Sequence, residues 1–80
     1  MIVTVYTAGP ACAACTMTKR HLSRRAIPFT EVPIDDAILV VAAELGLRTA
    51  PIVCAEFGGG RRTWDGYRPD RIDALAALSG

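Results

Sequence analysis

Hydrophobic positions along the chain change their period several times, and each change marks an element. Ile2-Val3-Thr4-Val5-Tyr6 is β-branched or aromatic throughout, which predicts a strand buried on both faces in the middle of a sheet. Gly9-Pro10 ends it. From about Ala13 to Ala26 the spacing becomes helical, with Cys15, Thr18, Leu22 and Ala26 on one face. Lys19, Arg20, His21, Arg24 and Arg25 occupy the other sides, and the bases near the end suit the helix dipole. Ile27-Pro28 stops the helix.

The run FTEVPI, 29–34, predicts a second strand, and Asp35 or Asp36 can cap a second helix over Ala37 to Leu45, closed by Gly46. That helix is apolar almost all round, so some of Leu39, Val40 and Val41 should be exposed. PIVCAEF, 51–57, reads as a third strand, GGG as a hairpin turn, and RRTW, 61–64, as a short edge strand whose arginines oppose aggregation. A last helix starts near Pro69, a favoured first helical residue, and buries Ile72, Leu75, Ala76 and Ser79. The predicted order is β-α-β-α-β-β-α. The first β-α-β unit should give parallel strands with a right-handed crossover, and the hairpin should add antiparallel ones. This α/β order, a four-stranded mixed sheet with three helices, is similar to the minimal thioredoxin/glutaredoxin-like fold.

Composition narrows the function. Eighty residues hold one domain, 1–80, and with 51% hydrophobic residues the chain can fold despite its small core. The formal charge is only +1, and the basic residues are spread out, which argues against nucleic acid as a partner. Met1–Thr7 has no basic leader and no apolar run approaches the roughly 18 residues of a membrane span, so neither secretion nor a membrane is expected. Three cysteines, an odd number, do not suit a secreted disulfide framework. The expected compartment is the reducing cytoplasm, where a CxxC pair is more often catalytic or metal-binding than structural.

The chemistry concentrates in GPACAACTMTKR, 9–20, where Cys12 and Cys15 stand at a strand-to-helix corner. A helix N-terminus offers free backbone N–H groups and positive dipole charge, so it favours an anion. Thiol pKa values fall from about 8.5 to about 3.5–7.5 in such places. Cys12 is then the exposed nucleophile, and Cys15, one turn deeper, the thiol that resolves a mixed disulfide. The alanines between them supply neither charge nor hydrogen bond. A metal or iron–sulfur carrier is the rival reading, but zinc needs about four ligands. Only His21, expected as a solvated surface residue, and Cys54, expected as a buried inert thiol, remain as natural donors. Thr49-Ala50-Pro51 is the second feature: a proline opening a central strand suits a special turn, and a cis Ala50-Pro51 bond would leave the Ala50 backbone free to pair with an extended peptide.

Taken together, YTAGPACAAC, TAPIV and WDGYRPDRI resemble the NrdH redoxins, glutaredoxin-like electron donors to class Ib ribonucleotide reductase, over essentially the whole chain. CxxC is common to thioredoxin-fold redoxins; the string Trp64, Gly66, Tyr67, Arg68, Pro69, Asp70 is more specific. The resemblance implies a dithiol–disulfide oxidoreductase, with a cis-Pro51 facing the cysteines and a Trp64-to-Asp70 segment shaping the substrate groove. In that groove Thr49, Ala50 and Pro51 dock the substrate backbone, Trp64 and Tyr67 give apolar contact, and Arg68 and Asp70 hold the loop beside Gly66. It also implies electrons from NADPH through thioredoxin reductase, no bound cofactor, and the large subunit of class Ib ribonucleotide reductase as substrate; a monomer is expected.

A glutathione-dependent glutaredoxin is the nearest alternative, disfavoured because Ala8 stands where glutaredoxins commonly carry lysine and WDGYRPD replaces their glycine-glycine-acidic segment. Three departures from the NrdH pattern stand out: an extra residue before Cys12, the Ala13-Ala14 dipeptide, and Asp65 where serine is common, which adds negative charge near the groove.

Overall fold

In the computed structural model, which describes residues 1–79 and side chains as far as Leu78, the order is β1 (Ile2–Thr7), α1 (Ala13–Arg24), β2 (Thr30–Pro33), α2 (Asp36–Glu44), β3 (Ile52–Phe57), β4 (Gly60–Asp65) and α3 (Pro69–Ser79). The strands form one sheet in the order β2-β1-β3-β4, with β1 parallel to β2 and antiparallel to β3, and β4 antiparallel on the edge. The element order and the mixed sheet are those the residue pattern predicts. The expected burial of Ser79 lies outside the described side chains.

One face of the sheet carries the core. Val3, Val5, Val53, Ala55 and Trp64 pack there against Leu22 and Ile27 at the end of α1 and Ile72 and Leu75 of α3. On the other face α2 buries only Ala42 and leaves Leu39, Val40, Val41 and Leu45 more than half exposed. An apolar groove of about 160 Å³ separates α2 from Tyr6, Ile52 and Cys54. This corrects the expectation for β1, which is not buried on both faces: Val3, Val5 and Thr7 are buried, Ile2 is exposed, and Thr4 and Tyr6 are half-buried. The α2 layer is too short to cover the second face. Cys54 lies on that side and is therefore half-buried, not enclosed as its sequence context suggests. Burial still pushes its thiol pKa up, against a smaller lowering by Arg61 and with a further rise from Glu56.

Helix ends explain the remaining shifts in boundary. Asp35 caps α2 by accepting the Ile38 N–H at 2.9 Å. Gly46, at φ 76°, closes it with bonds from its own N–H to the Ala43 carbonyl and from the Leu47 N–H to the Ala42 carbonyl. α1 ends in the same way two residues short of the predicted limit. The Ala26 N–H donates to the Ser23 carbonyl and the Ile27 N–H to the Leu22 carbonyl, each at 3.0 Å. Ala26 therefore takes the left-handed conformation, φ 56°, and points to solvent instead of continuing the buried stripe. In the β3–β4 hairpin only Gly58 and Gly59 form the turn, because Gly60 pairs with Phe57 and begins β4.

Candidate active site

The register brings three connections to one end of the sheet. Tyr6 of β1 pairs with Ile52 of β3, and Ile52 pairs with Asp65 of β4. The β1–α1 corner with its cysteines, the 48–51 segment and the β4–α3 turn all leave the strands there.

At the corner, Gly9 takes φ 107° and accepts the Cys12 N–H at 3.2 Å, so the extra loop residue is absorbed in a turn. Cys12 is the N-cap of α1: its backbone is extended, its carbonyl receives the Thr16 N–H, and its Sγ accepts the Cys15 N–H at 3.2 Å. That sulfur thus occupies the place a serine or aspartate oxygen fills at other helix starts. Cys12 and Cys15 are joined as a disulfide with Cα atoms 5.2 Å apart, the oxidised form of the pair. Cys12 is half-buried and Cys15 is 1% exposed. An incoming group therefore meets the Cys12 sulfur first.

The Ala50–Pro51 peptide is cis, and Pro51 is fully buried. Four hydrogen bonds tie this segment to Asp65 and Gly66, where β4 gives way to the β4–α3 turn. The Gly66 N–H donates to the Pro51 carbonyl at 2.9 Å, with Gly66 at φ 73°; a Cβ there would also come within 3.3 Å of Thr49 Oγ1. Beside it, Asp65 Oδ2 accepts the Arg48 N–H (2.8 Å), the Thr49 N–H (3.0 Å) and the Thr49 hydroxyl (3.0 Å). The backbone donors of Arg48 and Thr49 hold the Asp65 carboxyl below the usual carboxylate range. Asp65 is thus a tether, and its charge is met by N–H groups of its own chain.

These contacts revise several residue roles. Trp64 is 2% exposed and belongs to the core, because its register partner Val53 faces the α1–α3 layer; it offers a substrate no surface. Its indole N–H is buried and has no hydrogen-bond partner among the described residues. Thr49 spends its N–H and hydroxyl on Asp65, so its carbonyl and the Ala50 backbone are what remain for an extended peptide. Arg68 and Asp70 do not hold the loop: they form an exposed pair at 3.5 Å, and the holding is done by Asp65 and Gly66. His21 is not a solvated surface residue. Its side chain is 14% exposed, with Nδ1 2.7 Å from the Tyr67 hydroxyl and Nε2 2.9 Å from Asp73 Oδ1. Tyr67 is half-buried and packs against the core. The contacts of His21 and the tethering role of Asp65 were not visible in the sequence, because their partners lie 46 and 52 residues away for His21 and 16–17 for Asp65.

No helix among the described residues is long and apolar enough to cross a membrane, and no group of three or more His, Cys, Asp or Glu among them is placed to hold a metal ion. What the corner can do is exchange: a dithiol closing to this disulfide delivers two electrons to another disulfide. The class so defined is that of thioredoxin-fold thiol–disulfide oxidoreductases.

Comparison with known proteins agrees. The Glutaredoxin family model matches residues 3–56. The glutaredoxin-like protein NrdH of Salmonella typhimurium is 37% identical over 78 residues, covering 94% of this chain and 89% of that protein. Its Escherichia coli counterpart is 35% identical over the same coverage. A solved structure of the Escherichia coli NrdH-redoxin, described as glutaredoxin-like with a thioredoxin-like activity profile, superposes with a TM-score of 0.73 at 33% identity, over 94% of this chain and 95% of that one. The chain belongs to the glutaredoxin family, among its NrdH redoxins, and is a thiol–disulfide oxidoreductase whose redox group is its cysteine pair.

Proposed function

We propose that this redoxin takes electrons from an NADPH-dependent thioredoxin reductase and passes them to protein disulfides, its substrate being the disulfide-bearing tail of a class Ib ribonucleotide reductase large subunit. The Cys12 thiolate attacks one substrate sulfur, forming a mixed disulfide and expelling the other sulfur as a thiolate. Cys15 then loses its proton to water and attacks the Cys12 sulfur. The internal disulfide forms and the second substrate thiol leaves, so two electrons have moved from the dithiol to the substrate. NADPH enters only through the reductase, and the protein works as a cytoplasmic monomer without a bound cofactor.

In this reading the substrate backbone lies along the Thr49 carbonyl, Ala50 and Pro51. Gly66 borders it, its N–H bonded to the Pro51 carbonyl, and Tyr67, the next residue of that turn, is assigned to the same wall. The observation that carries the assignment of roles is the asymmetry of the pair, with an accessible Cys12 sulfur capped by the Cys15 N–H and a Cys15 closed off beneath it. The thioredoxin-like activity profile of the Escherichia coli relative supports a reductase over glutathione as donor.

Two measurements test it. Alkylation of Cys12 in the reduced protein should show a midpoint well below the roughly 8.5 of a free thiol. A midpoint at or above that value removes the basis for calling it activated. Thioredoxin reductase with NADPH should reduce the oxidised protein rapidly. Reduction by glutathione with glutathione reductase and not by thioredoxin reductase would make it a glutathione-dependent glutaredoxin instead.

A further inference from the structure

The contact between His21 and Tyr67 joins the helix that carries the cysteines to the turn that holds Pro51. The groups facing the imidazole are the Tyr67 phenol from that turn, Asp73 from α3 and, from its own helix, Arg25, whose Nε lies 3.5 Å from the same Asp73 oxygen. The two rings are tilted at 54° with centroids 5.8 Å apart, so they meet through their polar atoms and do not stack.

Hydrogen-bond bookkeeping then fixes the protons. An ionised carboxylate only accepts, so Nε2 must carry hydrogen to bond Asp73. In the neutral ring Nδ1 is left with a lone pair, and the Tyr67 O–H donates into it. The lone pairs of the phenol oxygen are what Tyr67 then offers outward. When the ring is protonated, Nδ1–H donates to the Tyr67 oxygen, and the phenol's own proton turns away from His21. Both states keep both bonds without moving a heavy atom, yet they give Tyr67 opposite polarity.

We propose that His21 is a positioning residue that sets the direction of the Tyr67 hydroxyl proton, and through it whether Tyr67 meets a bound peptide as an acceptor or as a donor. In the neutral state Tyr67 accepts from a peptide N–H; protonation of His21 takes up one phenol lone pair and turns the O–H outward, which weakens that acceptor. The inference rests on the reading above in which Tyr67 borders the substrate. It adds to that reading a preference for substrates that bring a donor to this wall, stronger at neutral than at mildly acid pH. Histidine is the side chain whose ordinary titration falls between roughly pH 5 and 8.

The chain has one histidine, so its ring nitrogens can be read by proton–nitrogen correlation without ambiguity. At about pH 8 the Nε2–H tautomer is expected; the Nδ1–H tautomer overturns the proposal. The second measurement is single-turnover oxidation of the reduced protein by insulin as disulfide probe, separating half-saturation from limiting rate. In the wild type the half-saturating concentration should rise about threefold to tenfold between pH 8 and pH 5.5, the worth of one hydrogen bond.

His21→Gln carries an acceptor and a donor side by side and cannot be protonated, so it should hold the wild-type high-pH value at both pH values. Tyr67→Phe, lacking the hydroxyl, should show no rise. A rise of wild-type size in either variant overturns the proposal. Failure of the wild type to reduce insulin at any pH would instead sink the substrate reading, and the tautomer would still decide the state of His21.

Discussion

Ala26 holds a backbone conformation that costs an L-residue about 1–2 kcal/mol, and it does so because the bonds closing α1 demand it. Glycine is the usual occupant of such a site. Ala26→Gly should therefore stabilise the protein by about 1 kcal/mol, read as a higher urea midpoint with unchanged slope; a lower midpoint would mean the helix end is held by something else. Asp65 gives a prediction with a sign. Its folded-state pKa is depressed by the Arg48 and Thr49 N–H groups. The stability it contributes is therefore complete above its unfolded value of about 3.9 and is lost as pH falls through the folded one. Asp65→Asn should be less stable than wild type at about pH 7, with the gap closing as pH drops below the carboxylate range. A gap that stays constant with pH would show that the charge of Asp65 is not what holds the 48–51 segment.

Among the elements, α2 and α3 are both short helices, and the more apolar one is the less buried: α3 seats Ile72 and Leu75 at 0% exposure while α2 leaves Val40 at 60%. Leu75→Ala should cost about 2–5 kcal/mol, and Val40→Ala should stay within about 0.5 kcal/mol; thermal or urea unfolding of the pair gives the comparison. Equal costs would mean that α2 is packed far more tightly than its exposure implies. The elements themselves were legible because each carries a local signal: β-branching in β1, the Gly9-Pro10 break, the Asp35 cap, Pro69 at the head of α3. So was the cysteine corner, since strand, break and helix are adjacent in the chain. What no local pattern could supply was register. The parity that turns Trp64 inward depends on its pairing with Val53, and a shift of one residue would have sent it out. The same holds for Asp65 and His21, whose roles exist only once α1, α3 and the turn beside Pro51 have come together.

Taken whole, the molecule has one well-filled side and one thin side. The α1–sheet–α3 layer holds the core cluster and the buried cysteine, whereas α2 rests on a sheet face that still keeps a groove. Native-state hydrogen exchange should follow this division, with α2 amides opening at lower free energy than those of β1, β3 and α1; uniform protection would contradict it. The same division predicts the order of thiol reactivity. In the reduced protein Cys12, capped by a helix start, should alkylate well before Cys54, whose thiol is pushed up by burial on the thin side. Mass spectrometry after brief iodoacetamide treatment reads this directly, and faster labelling of Cys54 would reverse the assignment of the activated thiol.

Because the molecule's single indole sits in this core with no surface turned to a binding partner, its light emission is a gauge of unfolding. Titrating a substrate peptide into the native protein should leave that emission nearly unchanged, whereas denaturant should shift it sharply toward the red as water reaches the ring.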